Sequence, residues 1–181
     1  MPIDERSLVE RAVRRDTQAF ALLYDQYVEK IYRYIHYKVG TRTQAEDLTA
    51  QVFLKAWESI GKYRSTEHPF AAWLYRIAHN LVVDHYRTDR AALALDDLPR
   101  EEADSVSLEE IAEQRLTSEM VKRAITQLTE DQQEVILLKF IEGYSTAEVA
   151  ALIGKDQGAV RALQHRALGT LQRIFRKEAV P

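Results

Sequence analysis

Near the C-terminus the chain reads Ser145-Thr-Ala-Glu-Val-Ala-Ala-Leu-Ile153, then Gly154-Lys155-Asp156, then Gln157-Gly-Ala-Val-Arg-Ala-Leu-Gln-His-Arg-Ala-Leu168. An eight-residue helical run, a three-residue turn opened by glycine and a longer helical run make the spacing of a helix-turn-helix. Gly154 supplies the left-handed turn conformation, and Asp156 is placed to cap the second helix. Val149, Ala150, Ile153, Val160, Leu163 and Ala167 fall where a small core would set the two helices. That leaves Lys155, Gln157, Arg161, Gln164, His165 and Arg166 on or beside the outward face. Such side chains suit a major groove, Arg on guanine edges or phosphate and Gln on adenine. A helical hairpin with a solvated charged face would show the same apolar pattern. Residues 150–177 carry six basic groups against one acidic, and this bias favours the DNA reading.

Working outward, four Ser/Thr residues each precede a Glu/Gln three positions on: Thr43/Glu46, Ser107/Glu110, Thr129/Gln132 and Ser145/Glu148. Each pair can form a capping box, the hydroxyl accepting from an orphan amide while the longer side chain reaches back. With these starts, helices are expected over roughly Leu8–Arg14, Thr17–Val39, Thr43–Ile60, Pro69–Arg87, Ser107–Leu128, Glu130–Ile141, Thr146–Ile153 and Gln157–Arg176. Pro69 suits a first helical turn, and Lys62–His68 reads as a polar loop. No stretch alternates with period two between turn residues, so no sheet is expected. The fold class is all-α: two helical domains, residues 1–90 and 113–181, joined by an acidic tether over 91–112.

Charge divides in the same way. Residues 1–95 carry 14 Lys/Arg and 12 Asp/Glu, residues 96–113 carry one Arg and eight acids, and residues 114–181 carry 10 and 8. The total of -3 therefore hides two mildly basic parts around one acidic stretch, and a local basic face governs phosphate binding. Cysteine is absent, which excludes disulfides and thiolate metal sites. No signal peptide, no apolar run of about 20 residues and no appended sensory domain is read, so a cytoplasmic protein is expected. A Gly-rich phosphate loop, a nucleophile with its base and metal-ligand spacing are all missing, so neither an enzyme, a cofactor, a metal nor a small-molecule substrate is expected.

The segment from Phe70 to Arg87, Phe-Ala-Ala-Trp-Leu-Tyr-Arg-Ile-Ala-His-Asn-Leu-Val-Val-Asp-His-Tyr-Arg, puts rings, an amide, imidazoles and arginines on one helix. Rings stack on unpaired bases, amides bond base edges and arginines hold phosphates. Trp73, Leu74 and Ile77 are at helical spacing, so Trp73 also reads as core, and Tyr75 as a packing residue. By pattern alone Asn80 is equally a plain surface amide. The series Tyr24, Tyr27, Tyr32, Tyr34 and Tyr37 reads mostly as helix packing with hydroxyls at the surface.

Ala45-Glu-Asp-Leu-Thr-Ala-Gln-Val-Phe-Leu-Lys-Ala-Trp57 resembles region 2.2 of bacterial sigma factors of the extracytoplasmic-function group. Phe70–Arg87 resembles that group's regions 2.3 and 2.4, and Gly143–Phe175 is similar to its region 4.2. The resemblance implies a subunit that joins core RNA polymerase, through its clamp coiled coil and flap, and directs it to promoter DNA. It makes Asp47, Gln51 and Lys55 candidates for the polymerase contact, with Leu48, Val52 and Phe53 pointing inward. Members melt the minus-ten element by flipping a base beside a loop. Here Lys62–His68 would be that loop and Asn80 the pocket asparagine, with Tyr63, Arg64, Arg76, His79, Asp84, His85 and Arg87 as further strand contacts. The helix-turn-helix residues would read the minus-35 element. An anti-sigma factor often restrains members and is a further implied partner. The chain departs from the group at Ala50-Gln51, where Gln-Glu is usual, and at Leu163, where Arg is frequent. A helix-turn-helix regulator acting without polymerase, or a helical adaptor that binds no DNA, would leave the Asp47–Trp57 and Phe70–Arg87 series without a role.

Overall fold

The computed structural model describes residues 3–93 and 109–178. The chain divides into two units, one ending at Arg100 and one beginning at Glu101, and the described residues of both are helical without a strand.

The N-terminal unit contains α1 (Glu5–Val13), α2 (Thr17–His36), α3 (Arg42–Ser59), a 3₁₀ turn (Ile60–Lys62) and α4 (Phe70–Leu93). Helix α2 packs against α1, α3 and α4, and α3 also packs on α4. Leu8, Leu23, Ile31, Tyr34, Ile35, Val52, Ile60 and Leu74 have no more than 1% of their surface exposed and form the centre of the bundle. Aromatic edges pin the helices at fixed offsets. Phe20 meets Trp57 at 5.0 Å, Tyr24 meets Phe53 at 4.7 Å, and Tyr34 meets Tyr75 at 5.1 Å between ring centres. Such pairs add about 0.5–1.5 kcal/mol each beyond the area they bury. Of the tyrosine series, Tyr34 is wholly enclosed rather than tipped to the surface.

The helix starts follow local chemistry, with two shifts from the sequence reading. Asp4 accepts from the Arg6 amide and starts α1 at Glu5, earlier than Leu8. Thr41 and Gln44, not Thr43 and Glu46, make the capping box of α3. Thr41 follows Gly40 in extended backbone, so the cap moves two residues back, the helix begins at Arg42 and gains the Arg42–Glu46 ion pair at 2.8 Å. Asp16 caps α2 by accepting from the Gln18 and Ala19 amides, and Arg11 grips its other oxygen at 2.8 Å. The Arg11 hydrogen bond, then the Ala19 amide, hold the Asp16 carboxyl below its ordinary pKa. Pro69 sits one residue before α4, its carbonyl accepting from the Trp73 amide. Helix α4 runs past Arg87 to Leu93 because Thr88–Leu93 holds no Gly or Pro and ends in Ala91-Ala92-Leu93, all strong helix formers. The acidic residues 96–104 and the Ser107/Glu110 box involve positions outside the described residues, and 91–93 and 109–112 of the expected tether are helical.

One turn between α1 and α2 carries unusual backbone. Arg15 has φ 71°, a left-handed conformation that costs an L residue about 1–2 kcal/mol. Its guanidinium donates to the carbonyl oxygens of Trp57 and Glu58 and lies 5.3 Å from the Trp57 ring. A cation thus closes the carbonyl end of α3, where the helix dipole favours positive charge.

The C-terminal unit contains α5 (Glu109–Thr126), α6 (Glu130–Ile136), a π-helical turn (Leu137–Ile141), α7 (Thr146–Ile153) and α8 (Gln157–Glu178). Helices α5, α6 and α7 all pack on α8. Both predicted capping boxes, Thr129/Gln132 and Ser145/Glu148, are present. The helix expected to run unbroken from Glu130 to Ile141 instead widens at its end, the Glu142 amide reaching back to the Leu137 carbonyl. Gly143 at φ 81° then ends it. Gly154 takes φ 69°, ψ 34°, and Asp156 accepts from the Ala159 amide at 2.7 Å. Val149, Ala150, Val160, Leu163 and Ala167 are buried as expected, while Ile153 remains half-exposed.

Candidate nucleic-acid interface

Three surfaces carry the predicted residues, two on the N-terminal unit and one on the C-terminal unit. On α3, Leu48, Val52 and Phe53 turn inward, and Asp47, Gln51 and Lys55 are exposed at four-residue steps along one face. Leu54 belongs to that face too, 60% exposed between Gln51 and Glu58. Sequence periodicity passed over it, because a leucine in an apolar-rich helix reads as core. The open leucine lies among charged and amide groups.

On α4, the buried arc is Leu74, Tyr75, Ala78 and Val82. The opposite stripe holds Arg76, Asn80, Val83, Asp84 and Arg87 at helical spacing, all exposed. His79, half-buried, and Tyr86, 42% exposed, flank it. Val83 and Tyr86 are further members of this surface that pattern reading omitted. His85 departs from the expected grouping. It lies seven residues after Ala78 and eleven after Leu74, on the packed side of α4, and its Nε2 is 3.3 Å from Asp89.

Tyr63 is a second correction. The sequence placed it in an open loop, but the ring is 8% exposed and packs 5.8 Å from Phe70 and 5.2 Å from Trp73. Its hydroxyl donates to the His68 carbonyl at 2.5 Å, closing the loop on itself. Burial pushes the phenol above its ordinary pKa, with the Glu5 carboxylate adding to the shift. Trp73 joins the same cluster, 5.7 Å from Phe70, in agreement with its reading as core. Arg64, Ser65 and Thr66 remain exposed.

On α8, Gln157, Arg161, Gln164 and His165 share one face, opposite the buried Leu163 and Ala167. Arg161 bonds back to Gln157 at 3.4 Å, which holds both side chains along the helix. Arg166 is exposed but turned to the other flank, five positions round from Arg161. Lys155, in the turn, is 3.6 Å from Asp131 of α6. Leu168, 42% exposed, continues the Arg161 face two turns on and was not singled out in the sequence.

The three surfaces lie on two helical units, each of which matches a family profile. The profile of Sigma-70 region 2 matches residues 23–92, and that of Sigma-70 region 4 matches residues 118–171. ECF RNA polymerase sigma factor SigX of Bacillus subtilis is 31% identical over 164 residues, covering 86% of this chain and 83% of SigX. ECF RNA polymerase sigma factor BldN of Streptomyces coelicolor is 41% identical over 174 residues, 95% of this chain, and the chain spans 66% of BldN's length. Among solved structures, CnrH in complex with the cytosolic domain of CnrY superposes with a TM-score of 0.74 at 26% identity, over 97% of this chain and 99% of CnrH. The chain belongs to the extracytoplasmic-function group of RNA polymerase sigma factors.

Proposed function

We propose that this chain docks on core RNA polymerase through the exposed face of α3, opens the minus-ten element along the α4 stripe and holds the minus-35 duplex with α8. The observation that carries the reading is the composition of that stripe. Arg76, Asn80 and Arg87 project from one side of a helix whose other side buries Leu74, Tyr75, Ala78 and Val82. An exposed amide with one arginine a turn before it and another two turns after it can hold a base edge and the phosphates beside it. Extruding that base costs a few kcal/mol, which bonds to its edge and stacking must offset.

In the C-terminal unit, Gln157, Arg161, Gln164 and His165 enter the major groove, while Arg166 on the other flank reaches phosphate. Arg166 would then add affinity without sequence preference. Lys155 must leave Asp131 to reach DNA, an exchange that costs little because exposed ion pairs contribute about 0–1 kcal/mol. The half-buried His85 orients the end of α4 and makes no strand contact.

Leu54 is the apolar centre of the polymerase contact, with Asp47, Gln51 and Lys55 around it. The protein acts in the cytoplasm, where its polymerase and promoters are, without catalysis of its own. CnrH was solved with the cytosolic domain of CnrY, and a protein of that kind would hold this factor back until its signal arrives. The domain limits we assign are 1–90 for polymerase docking and strand opening, and 113–181 for minus-35 recognition.

The test is transcription with purified core polymerase on a promoter selected from a random library. Asn80→Ala should abolish strand opening, seen as lost permanganate reactivity at minus ten, with core binding unchanged. Equal loss of both activities would refute a strand-contact role for Asn80.

A further inference from the structure

The loop before α4 presents two hydroxyls, Ser65 and Thr66, that are exposed and have no hydrogen-bond partner among the described residues. Hydroxyls within the helices are used differently. Those of Ser59, Thr88 and Thr170 donate to the carbonyls of Lys55, Asp84 and Arg166 at 2.6, 3.0 and 3.1 Å. Ser65 and Thr66 sit at the crest of a turn in which the Glu67 amide donates to the Arg64 carbonyl at 3.2 Å. Beneath them the Tyr63 hydroxyl, bonded to the His68 carbonyl, closes the loop. An exposed loop tip of this kind is open to the cleft of a modifying enzyme.

The surroundings of these hydroxyls are cationic. A cavity of about 360 Å³ brings them together with Arg64 of the loop and with Glu10 and Arg14 of α1. Arg14 and Arg64 are exposed, and neither guanidinium has a side-chain partner among the described residues. Arg15, next to Arg14, is committed to the α3 carbonyls instead. Glu10 carries the opposing charge, and Arg6 offsets it at 3.3 Å. Two unpaired cations therefore lie beside two unpaired hydroxyls. A dianion on either hydroxyl would find charge-assisted donors on both walls of the cavity. The hydroxyls are not equivalent, because Glu67 follows Thr66 directly and opposes negative charge there, while Ser65 follows Arg64.

We propose that Ser65 is a phosphorylation site whose phosphate is held by Arg14 and Arg64, and that this modification silences promoter opening. The proposal rests on the reading of the N-terminal unit as the strand-opening one. The phosphoryl donor is ATP, brought by a protein kinase. The Ser65 Oγ attacks the γ-phosphorus, the bond from that phosphorus to the β–γ bridging oxygen breaks, ADP leaves, and the hydroxyl proton passes to the kinase's base. The product carries a charge of about −1.5 to −2 at pH 7. Two consequences follow from its position. The phosphate ties the loop to α1 and draws Arg64 away from the promoter strand. The added negative charge also repels the phosphates of that strand. Docking on polymerase is left intact, because the α3 residues assigned to it do not line the cavity.

The experiment uses the full chain with phosphoserine placed at position 65 during translation, alone and joined to core polymerase. Phosphorus NMR should give a second phosphate pKa about one unit below that of the same chain unfolded in urea, because two guanidiniums favour the dianion. Arg14→Ala should return about half of that shift. With core polymerase, the modified chain should form open complexes on a selected promoter about ten-fold less readily than the unmodified one. The log–log salt slope of opening should fall by about one, as for the loss of one phosphate contact. Affinity for core polymerase should not change. An unshifted phosphate pKa, or open complexes formed as readily as by the unmodified chain, would overturn the proposal. Mass spectrometry of the chain isolated from its own cells, while its promoters are silent, should find phosphate on Ser65. Its absence there, or phosphate on other residues only, would overturn the proposal as well. Failure of the unmodified holoenzyme to open any selected promoter would instead refute the strand-opening function, with the NMR result still deciding the phosphate site. Tryptophan fluorescence melts, reporting Trp57 and Trp73, confirm that each form is folded.

Discussion

Gly154 and Gly169 both have open space where a Cβ would go, nothing lying within 4 Å of either position, yet adding the same methyl group should have opposite effects. Gly154 sits at φ 69°, in the turn between α7 and α8, so Gly154→Ala meets no clash and suffers backbone strain alone. That strain is about 1–2 kcal/mol. Stiffening the unfolded chain offsets about 0.4–1 kcal/mol of it, leaving a net loss near 1 kcal/mol. Gly169 is inside α8, where alanine is a better helix former than glycine by about 0.5–1 kcal/mol. The two variants should therefore differ by about 1.5–2 kcal/mol. At about 4–8 °C per kcal/mol for a unit of this size, the melting points would separate by roughly 6–16 °C. Far-UV circular dichroism on the full chain reads the transition. Tryptophan fluorescence gives an internal control, because both tryptophans lie in the N-terminal unit. Gly154→Asn should fall between, since asparagine tolerates the left-handed region better than alanine. If Gly154→Ala were as stable as Gly169→Ala, the turn would not depend on this backbone geometry, and the placement of α8 would need another explanation.

Arg15→Ala should destabilise the N-terminal unit by about 1–2 kcal/mol, from the lost helix-end charge and the lost contact with the Trp57 ring. Arg15→Gly should lose less, because the left-handed strain goes with it; urea titration followed by tryptophan fluorescence compares them. Asp16 has a folded pKa below its unfolded one, so its stabilisation is fully present above the ordinary carboxylate range and is lost as pH falls through the lowered value. Asp16→Asn should accordingly lower the melting point at pH 7 and narrow the difference from wild type as the pH is brought below 4. Leu54→Ser should leave the melting point almost unmoved, because the side chain is 60% exposed. It should weaken binding to core polymerase at least ten-fold in a fluorescence anisotropy titration, and equal affinity would remove Leu54 from the contact.

What the sequence disclosed depended on how local the signal was. The span of α7, its stop at Gly154 and the cap at Asp156 were legible to the residue, because capping hydroxyls and a left-handed glycine act within one turn of chain. The sequence pattern pointed to Thr43 and Glu46 as the box of α3, but the extended backbone after Gly40 puts it at Thr41 and Gln44. Helix α4 outran its apolar periodicity, which ends before the helix propensity of Ala91-Ala92-Leu93 does. The α3 residues came from the family resemblance and share one exposed face, while the helix-turn-helix pattern placed the α8 residues with Arg166 grouped on a face it does not share. His85 was misplaced because it was grouped by neighbourhood with Arg87 rather than by its seven-residue step from Ala78. Tyr63 and Arg15 were hidden for a different reason: their burial and bonding depend on residues brought together by tertiary packing. Arg15 reaches carbonyls 42 and 43 positions away, and no periodicity carries such information. The cavity between α1 and the loop is tertiary in the same sense.

On our proposal, α4 holds an opened strand and α8 an intact duplex on one promoter. Footprinting of the reconstituted holoenzyme tests both at once, with permanganate for unpaired thymines and hydroxyl radical for duplex protection. The account predicts reactive thymines across the minus-ten element together with protection of the minus-35 element on the same molecules. Protection of duplex DNA by the chain without polymerase, with no unpaired thymines when polymerase is added, would contradict it.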